Sequence, residues 1–367
     1  MRTVRLRVQL RDVSPPVMRV LDVPAASTLD EVHLVLQAGL GWTDRHLHEF
    51  STSEVRYAAR DADDPDAEDE TRVRVSVLPS TWTYGYDLGD DWTHDVEVLG
   101  AGGDSPGCVY GEGACPPEDS GGPGGYAHLL AVLDDPSDPE HEDLREWAGE
   151  RIEFDQQQAD ERVRQVLGRV PTGPRLLLDA AAGGITLTPR GRLPRAVVRE
   201  IQERRPEWYW FGAGKQANRE EDLLPLTRLH DVLLETGLLR VRRGVLTPVR
   251  AAADEREVLR RLRATYASDS FIGLCAHLAV TLLLAEGART TDELATRVFT
   301  MIGSGWDVDG RPLTEDDVHI VLSRLRGELH GLDQIDVREG RRWHPGPEAR
   351  WFFPWTALIV DRWSSVR

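Results

Sequence analysis

The sequence predicts an α+β fold: a compact mixed sheet-plus-helix N-terminal domain over 1–170, followed by a mostly α-helical, winged-helix-like region over 175–367. Three observations carry this. Short segments of the first half alternate apolar and polar residues around one clear amphipathic helix. The second half repeats a pattern in which a helix ends at Gly and a short hairpin follows. Charge divides the same way: residues 1–170 hold 35 acids and 15 Arg, a net of −20, and residues 171–367 hold 27 acids and 29 Lys plus Arg, a net of +2.

In chain order, "VRLRVQL" (4–10) alternates and reads as a strand, and "PPVMRVLDVP" (15–24) as a second, entered through prolines at a sheet edge or turn. "STLDEVHLVLQAGLGW" (27–42) is a helix: Ser27 or Thr28 caps it, Asp30 and Glu31 suit its N-terminal dipole, and Leu29, Val32, Leu36 and Leu40 make one face. "HLHEFSTSEVRYA" (46–58) returns as a strand, and "RDADDPDAEDET" (60–71), with seven acids, is a solvated loop. "RVRVSVL" (72–78) alternates again. "TWTYGYDLGDDWTHDVEVLG" (81–100) is two strands joined at "LGDD". A Gly/Pro-rich loop spans 101–125, helices follow near 126–134, 140–149 and 157–168, and "PTGP" (171–174) reads as a linker. Beyond it, 233–250 and 329–350 share the helix–Gly–hairpin pattern, and 183–201 reads as a fragment of the same unit.

The 367 residues suffice for two or three domains, and 40% hydrophobic content with eleven Trp supports real cores. Three cysteines (Cys108, Cys115, Cys275) make no disulfide framework and point to a reducing compartment. The N-terminus reads as a strand, not a signal peptide. The longest apolar run, 271–285, carries His277 and is shorter than the ~20 residues a bilayer needs, so it predicts a buried helix capped by 268–270 and stopped at Gly287. The expected setting is cytoplasmic, with no membrane partner. Lys215 is the only lysine, a bias of genome composition. Val75 to Leu144 contains no Lys or Arg and fifteen acids, a surface that repels phosphates and favours cations, metal ions or basic partners.

Three segments carry a resemblance: "PPVMRVLDVPAASTLDEVHLVLQAGLGWTDRHLHEF", "YGYDLGDDWTHDVEVL" and "CVYGEGACPPEDSGGPGGYAHLLAVLDDPSDPEHEDLREWAG". Residues 1 to about 170 resemble the plasmid pRiA4b ORF-3-like family, also labelled as insertion-element passenger "TnpR" proteins; the resemblance implies a compact α+β domain and a plasmid or mobile-element context. The second half, with "LTPRGRLPRAVV", resembles C-terminal extensions of actinobacterial members. Leu88 stands where the family usually has Phe, Met18 where it often has Trp, and Ser120 where some members have Cys. The resolvase implied by the label finds little support, because a serine recombinase needs several Arg around its nucleophile and the motif region has no cation for seventy residues.

The stretch "YGYDLGDDWTHDVEVLG" (84–100) poses the chemical question. Asp87, Asp90, Asp91, His94, Glu118 and Asp119 form a candidate polar cluster for acid–base work or a divalent ion. The same aspartates are natural turn and cap residues. For a metal such as zinc the candidate ligands are Cys108, Cys115, His94, His46 and His48, although the cysteines lack tight zinc spacing. No phosphate loop or dinucleotide fingerprint is present. In the second half Arg240, Arg242, Arg243, Arg341 and Arg342 are DNA-contact candidates at hairpin tips, with Arg190 and Arg192 in the third fragment. "EWYWFG" (207–212) is expected to pack the junction between domains. The expected function is non-catalytic binding or regulation, the acidic domain engaging a basic protein partner or the C-terminal region. The alternatives are a metal-dependent enzyme using the Asp/His/Cys cluster, and weak DNA binding through the C-terminal wings.

Overall fold

The computed structural model describes residues 2–59, 65–148, 153–209, 215–267, 270–303, 306–308, 310–338 and 341–354. Residues 60–64 of the acidic loop, 210–212 of the aromatic group, 268 and 269 of the predicted cap, and 339 and 340 of the second Arg turn lie outside them. The chain divides into two compact units, Met1–Leu167 and Gly168–Arg367, and the fold is α+β.

The first unit is built on an eight-stranded sheet. Its strands are β1 (Thr3–Leu10), β2 (Met18–Pro24), β3 (His48–Ser51), β4 (Arg56–Ala58), β5 (Glu68–Asp69), β6 (Thr81–Tyr86), β7 (Trp92–Ala101) and β8 (Gly107–Glu112), in the order β5-β4-β3-β6-β7-β1-β2-β8. Every neighbouring pair is antiparallel except β4–β5. The alternation read in the sequence sets the faces: Leu6, Val8 and Leu10 of β1, Trp82, Tyr84 and Tyr86 of β6, and Trp92, His94 and Val96 of β7 are all buried. Helix α1 (Leu29–Leu40) carries Val32, Val35 and Leu36 in the core. It starts at Thr28, whose N–H donates to Glu31 Oε2 (3.2 Å), and ends at Gly41 in the left-handed region (φ 102°). Helices α2 (Gly122–Asp134), α3 (His141–Ala148) and α4 (Gln156–Leu167) complete the unit, and Arg162 of α4 donates to the Ala38 carbonyl at the end of α1 (2.9 Å).

Three expectations for this unit are corrected. The strand expected over 46–58 is a hairpin, β3 and β4, because the Thr52 N–H donates to the Val55 carbonyl (2.9 Å) and the Thr52 hydroxyl accepts from the Val55 N–H (2.9 Å). Residues 72–78 are not a strand. Their backbone serves the entrance of α1: Leu29 N–H donates to Val73 O (3.0 Å) and Val75 N–H to Ser27 O (2.9 Å). The loop expected over 101–125 contains β8, which pairs with β2; its two glycines hide the alternation.

The second unit begins with α5 (Thr172–Ala180), so 171–174 is a helix start and not a linker; Pro174 fits the first turn, where no N–H is needed. Then come β9 (Ile185–Thr186), α6 (Arg195–Arg204), α7 (Leu224–Glu235), β10 (Leu239–Arg242) and β11 (Val245–Pro248), with sheet order β10-β11-β9. Segment 183–201 is therefore no third copy: β9 pairs with β11 and completes the first hairpin's sheet. Helices α8 (Glu255–Ala264), α9 (Phe271–Glu286) and α10 (Thr291–Ile302), hairpin β12 (Asp307–Val308)–β13 (Arg311–Pro312), helix α11 (Glu315–Gly331), hairpin β14 (Ile335–Arg338)–β15 (Arg342–Pro345) and α12 (Ala349–Phe352) follow. Ser270 caps α9 by accepting from the Gly273 N–H (3.0 Å), and Gly287 ends it. No described helix is long and apolar enough to cross a membrane. Trp208, of the aromatic group, is fully buried in this unit's own core.

Helices α7 and α11 pack closely through glycine. A Cβ on Gly327 would lie 2.8 Å from Arg228 Cγ, and one on Gly331 2.7 Å from the Pro225 carbonyl oxygen. The second neighbour is backbone and cannot rotate away. Gly331→Ala is expected to cost about 1–3 kcal/mol by overpacking, read as a lower thermal midpoint by circular dichroism. Gly124→Ala, whose Cβ meets nothing within 4 Å, serves as the helix control and is expected to lose nothing.

Candidate functional site

The segment Trp42–His46 leaves α1 and is fixed residue by residue. Trp42 stacks on Tyr86 (4.9 Å between centroids), meets the His94 ring edge-on, and donates from Nε1 to the Pro116 carbonyl (2.9 Å). Thr43 donates from its N–H (2.8 Å) and hydroxyl (3.0 Å) to Glu118 Oε1. Asp44 N–H donates to Gln37 Oε1 (2.8 Å), and Arg45 N–H to the Tyr86 hydroxyl (2.9 Å). His46 is thereby carried to the end of the interior strands β3, β6 and β7, where the 87–91 turn and the 116–121 loop also arrive.

There His46 Nε2 lies 3.0 Å from Asp119 Oδ1, 3.5 Å from Asp87 Oδ2 and 3.7 Å from Glu118 Oε2. Each carboxylate is held through its structural contacts. Asp87 Oδ1 accepts from the N–H groups of Gly89 (3.2 Å) and Asp90 (3.3 Å). Glu118 Oε1 holds Thr43, and its Oε2 accepts from the Tyr86 hydroxyl (3.0 Å). Asp119 Oδ2 pairs with Arg45 (3.3 Å). Asp87 and Asp119 thus anchor one oxygen each and turn the other toward the same imidazole. Burial, and next the Glu118 carboxylate, push the Tyr86 phenol well above its ordinary value, so it remains a donor. Leu47 and Leu88, 56% and 57% exposed, flank the cluster in sequence, and Leu47 O accepts from the Asp87 N–H (2.9 Å).

A second cluster lies under α1. His33 and His48 stack with centroids 3.5 Å apart and planes 9° from parallel. His48 Nε2 is 2.9 Å from Glu70 Oε2. The Asp44 N–H fixes the Gln37 amide, so Gln37 Nε2 donates to the Tyr84 hydroxyl (2.9 Å). The Tyr84 proton then goes to His33 Nδ1 (2.8 Å). His33 Nε2 keeps the remaining proton and lies 2.8 Å from Asp44 Oδ1. Burial, reinforced by His48, holds the His33 pKa below its ordinary value, in keeping with a neutral ring.

The expected residues divide. His46, Asp87, Glu118 and Asp119 converge. Asp90 and Asp91 belong to the turn: Asp90 Oδ2 accepts from the Gly121 N–H (2.9 Å), and Asp91 Oδ1 from the Thr93 hydroxyl (3.3 Å). His94 is fully buried and donates from Nδ1 to the Tyr84 carbonyl (3.1 Å). The expected zinc set does not assemble. Among the described residues, the groups of three or more His, Cys, Asp or Glu with ligand atoms within 4.8 Å are His33–Asp44–His48 and His46–Asp87–Asp119, and neither contains a thiol. Burial pushes Cys108 up to about 11 and Cys115 up to about 12, so both remain thiols. His33, Asp44, Arg45 and Glu70 were not anticipated. The available signal was His33 and Gln37, two polar residues four apart on a helix face otherwise filled with Val and Leu.

In the second unit Arg240, Arg242 and Arg243 are exposed, and the described residues offer them no ion pair; Arg341 is also exposed. Arg342 is engaged within the unit: it pairs with Glu293 (3.0 Å) and donates to the Ala288 carbonyl (2.9 Å). Arg192 is likewise engaged, with Asp231 (3.0 Å) and Glu220 (3.5 Å).

Burial pushes His94 down to about 4 from an ordinary 6.5. Protonation below pH 6.5 therefore favours the unfolded chain, and His94 withdraws stability as pH falls from 6.5 to 4, about 3 kcal/mol over the whole window. Urea midpoints at pH 7.5 and 4.5 are expected to differ less in His94→Gln than in the parent protein.

Residues 2–162 match the family model for plasmid pRiA4b ORF-3-like protein. A curated relative, the uncharacterized protein y4hQ of Sinorhizobium fredii (strain NBRC 101917 / NGR234), is 38% identical over 157 residues, which span 40% of this chain and 80% of the relative. A crystal structure of a protein of unknown function from Methanosarcina mazei Go1 is 29% identical, with a TM-score of 0.40 over 42% of this chain and 96% of that one. The three segments that meet around His46 all fall inside the matched range, and over residues 2–162 the chain belongs to the plasmid pRiA4b ORF-3-like protein family.

Proposed function

We propose that this is a non-catalytic binding protein whose acidic first unit captures a basic side chain of a partner protein at His46, Asp87, Glu118 and Asp119. The observation that supports this is the aim of the carboxylates. Asp87 and Asp119 are each held by one oxygen and direct the other to the point where Glu118 and His46 also face. Three carboxyl groups there face one guanidinium, Arg45, and one imidazole, which leaves the niche receptive to a further cation. The exposed Leu47 and Leu88 at its margin suit an aliphatic neighbour on the partner. A regulatory role in a plasmid or mobile-element setting is the context we attach to this reading.

The second unit fits the same reading. Its elements run helix–strand–helix–helix–strand–strand from α5 to β11, and similarly from α9 to β15, with Arg289 bridging Trp343 where a first strand would stand and the hairpin β12–β13 inserted between α10 and α11. We read these as two winged-helix-like units joined by helix packing. Their third helices, α7 and α11, lie against each other through Gly327 and Gly331.

A divalent metal is the second reading, favoured by the donor set: His46 Nε2 with carboxylate oxygens of Asp87 and Asp119, all within 4.8 Å. The test is fluorescence anisotropy with a labelled peptide of alternating Arg and Leu. Asp87→Asn and Asp119→Asn are each expected to weaken binding at least tenfold, whereas Asp104→Asn, elsewhere on the acidic surface, leaves it within twofold. Equal losses in all three would reduce the site to general surface charge. Near-stoichiometric metal by plasma mass spectrometry, lost in His46→Ala, would instead make the metal reading primary.

A further inference from the structure

We infer that the three-stranded sheet β10-β11-β9 is a binding surface for the sugar-phosphate backbone of duplex DNA, engaged without regard to sequence. The inference is independent of the niche around His46. The chain carries a net −18, yet residues 180–199 and 236–253 contain no Asp or Glu at all, and together they hold eight Arg. These two acid-free segments are distant in sequence and are joined in one sheet: Thr186 pairs with Val245 and Ile185 with Leu246.

The register places the cations. Arg240 is opposite Thr247 and Arg242 opposite Val245, so both Arg side chains leave the same face of β10, with Thr247, Val245 and Thr186 beside them. Arg243 occupies the turn in a left-handed conformation (φ 51°), followed by Gly244 (φ 76°). Leu187 N–H donates to Gly244 O (2.9 Å), which brings the next turn, 188–192, to the same end of the sheet. Arg190 sits exposed in that turn. Arg190, Arg240, Arg242 and Arg243 are exposed, and the described residues offer them no carboxylate.

The corresponding hairpin β14–β15 differs. Its Arg338 pairs with Asp336 (2.6 Å) and its Arg342 with Glu293 (3.0 Å). The contrast separates a hairpin with two of its three Arg neutralised, Arg341 being exposed, from an open one. Phosphate is the matching chemistry, because the planar guanidinium fork binds phosphate oxygens in pairs and the small turn at Gly244 lets backbone approach closely. Sequence reading by α7 is excluded by packing. Of the twelve residues of α7 only Glu235 is exposed, and that helix rests on α11, so α7 has neither a free nor a basic face to offer a major groove. Contacts confined to the backbone hold a duplex without discriminating bases.

The experiment is fluorescence anisotropy of the full chain with two labelled duplexes of unrelated sequence across a salt series. Four phosphate contacts predict a slope of log K against log salt of about −3.6. The variant Arg240→Ala/Arg242→Ala/Arg243→Ala is expected to weaken binding at least tenfold and to flatten the slope to about −1. Arg338→Ala leaves both unchanged, and the two duplexes bind within twofold of each other. All three substituted positions are exposed, and Arg243→Glu alone, expected to weaken binding more than Arg243→Ala, gives a second check through charge. An unchanged slope in the triple variant, no binding at low salt, or a tenfold preference for one duplex would overturn the inference. Equal competition by poly-glutamate at matched charge would also overturn it, in favour of an acidic protein partner.

Discussion

The first unit depends on one buried guanidinium. Arg19 is 1% exposed and, among the described residues, meets no carboxylate. Instead it donates to four carbonyls: Gly39 at the end of α1 (2.9 Å), its own neighbour Met18 (2.8 Å), Glu112 at the end of β8 (2.8 Å) and Gly113 beyond it (3.0 Å). Phe154 covers the guanidinium plane at 3.8 Å. Burial lowers the Arg19 pKa, a cost balanced here by hydrogen bonds to backbone dipoles rather than by an opposite charge. Those carbonyls would otherwise be orphans of a helix C-terminus and a strand end. By joining them, Arg19 sets where α1 stops relative to where β8 stops. The segments that leave those two points, 41–46 and 113–121, are the ones that carry His46 and the Glu118–Asp119 pair to a common place.

The charge asymmetry of the chain acquires a structural meaning from this arrangement. The seventy-residue window without a cation is the part that folds into β6, β7, β8 and α2. Its acids are not spread evenly in role. Asp87, Asp90 and Asp119 bind backbone amides or a neighbouring Arg and so shape the turns, while Asp95 pairs with Arg11 across β1 and β7. Turn geometry and cation attraction are therefore two uses of the same residues. Asp87 and Asp91 both adopt positive φ (54°), a conformation Asp accepts more readily than most side chains.

Much of the fold was legible because local pattern and tertiary role agreed. Strands β1, β6 and β7 alternate as a half-buried sheet must, α1 has its cap and its stripe, and α9 has its cap at Ser270 and its stop at Gly287. The failures came where backbone was recruited by something distant. Residues 72–78 alternate, yet their hydrogen bonds go to the approach of α1. Strand β8 has Gly at two of six positions, so a pairing dictated by β2 leaves no periodic trace. In the second unit the glycine–hairpin pattern was visible, but the role of 183–201 was not, since a two-residue strand is specified almost wholly by its partner. Residue types at the candidate site were visible in the motif segments. Their grouping was not: His46 and His48, two apart, enter different clusters, because only His48 lies within β3.

The set of polar contacts under α1, three hydrogen bonds and a His33–Asp44 ion-pair contact, has a directional consequence. The loop runs from the Asp44 amide to Gln37, to Tyr84, to His33 and back to the Asp44 carboxylate. A circuit of hydroxyls or imidazoles alone can reverse, every donor becoming an acceptor in concert. This one cannot, because its first donor is a main-chain amide that never exchanges roles and thereby orients the carboxamide after it. The circuit is a one-way valve for polarity. It pins one tautomer of His33, and with it the ring on which His48 is stacked.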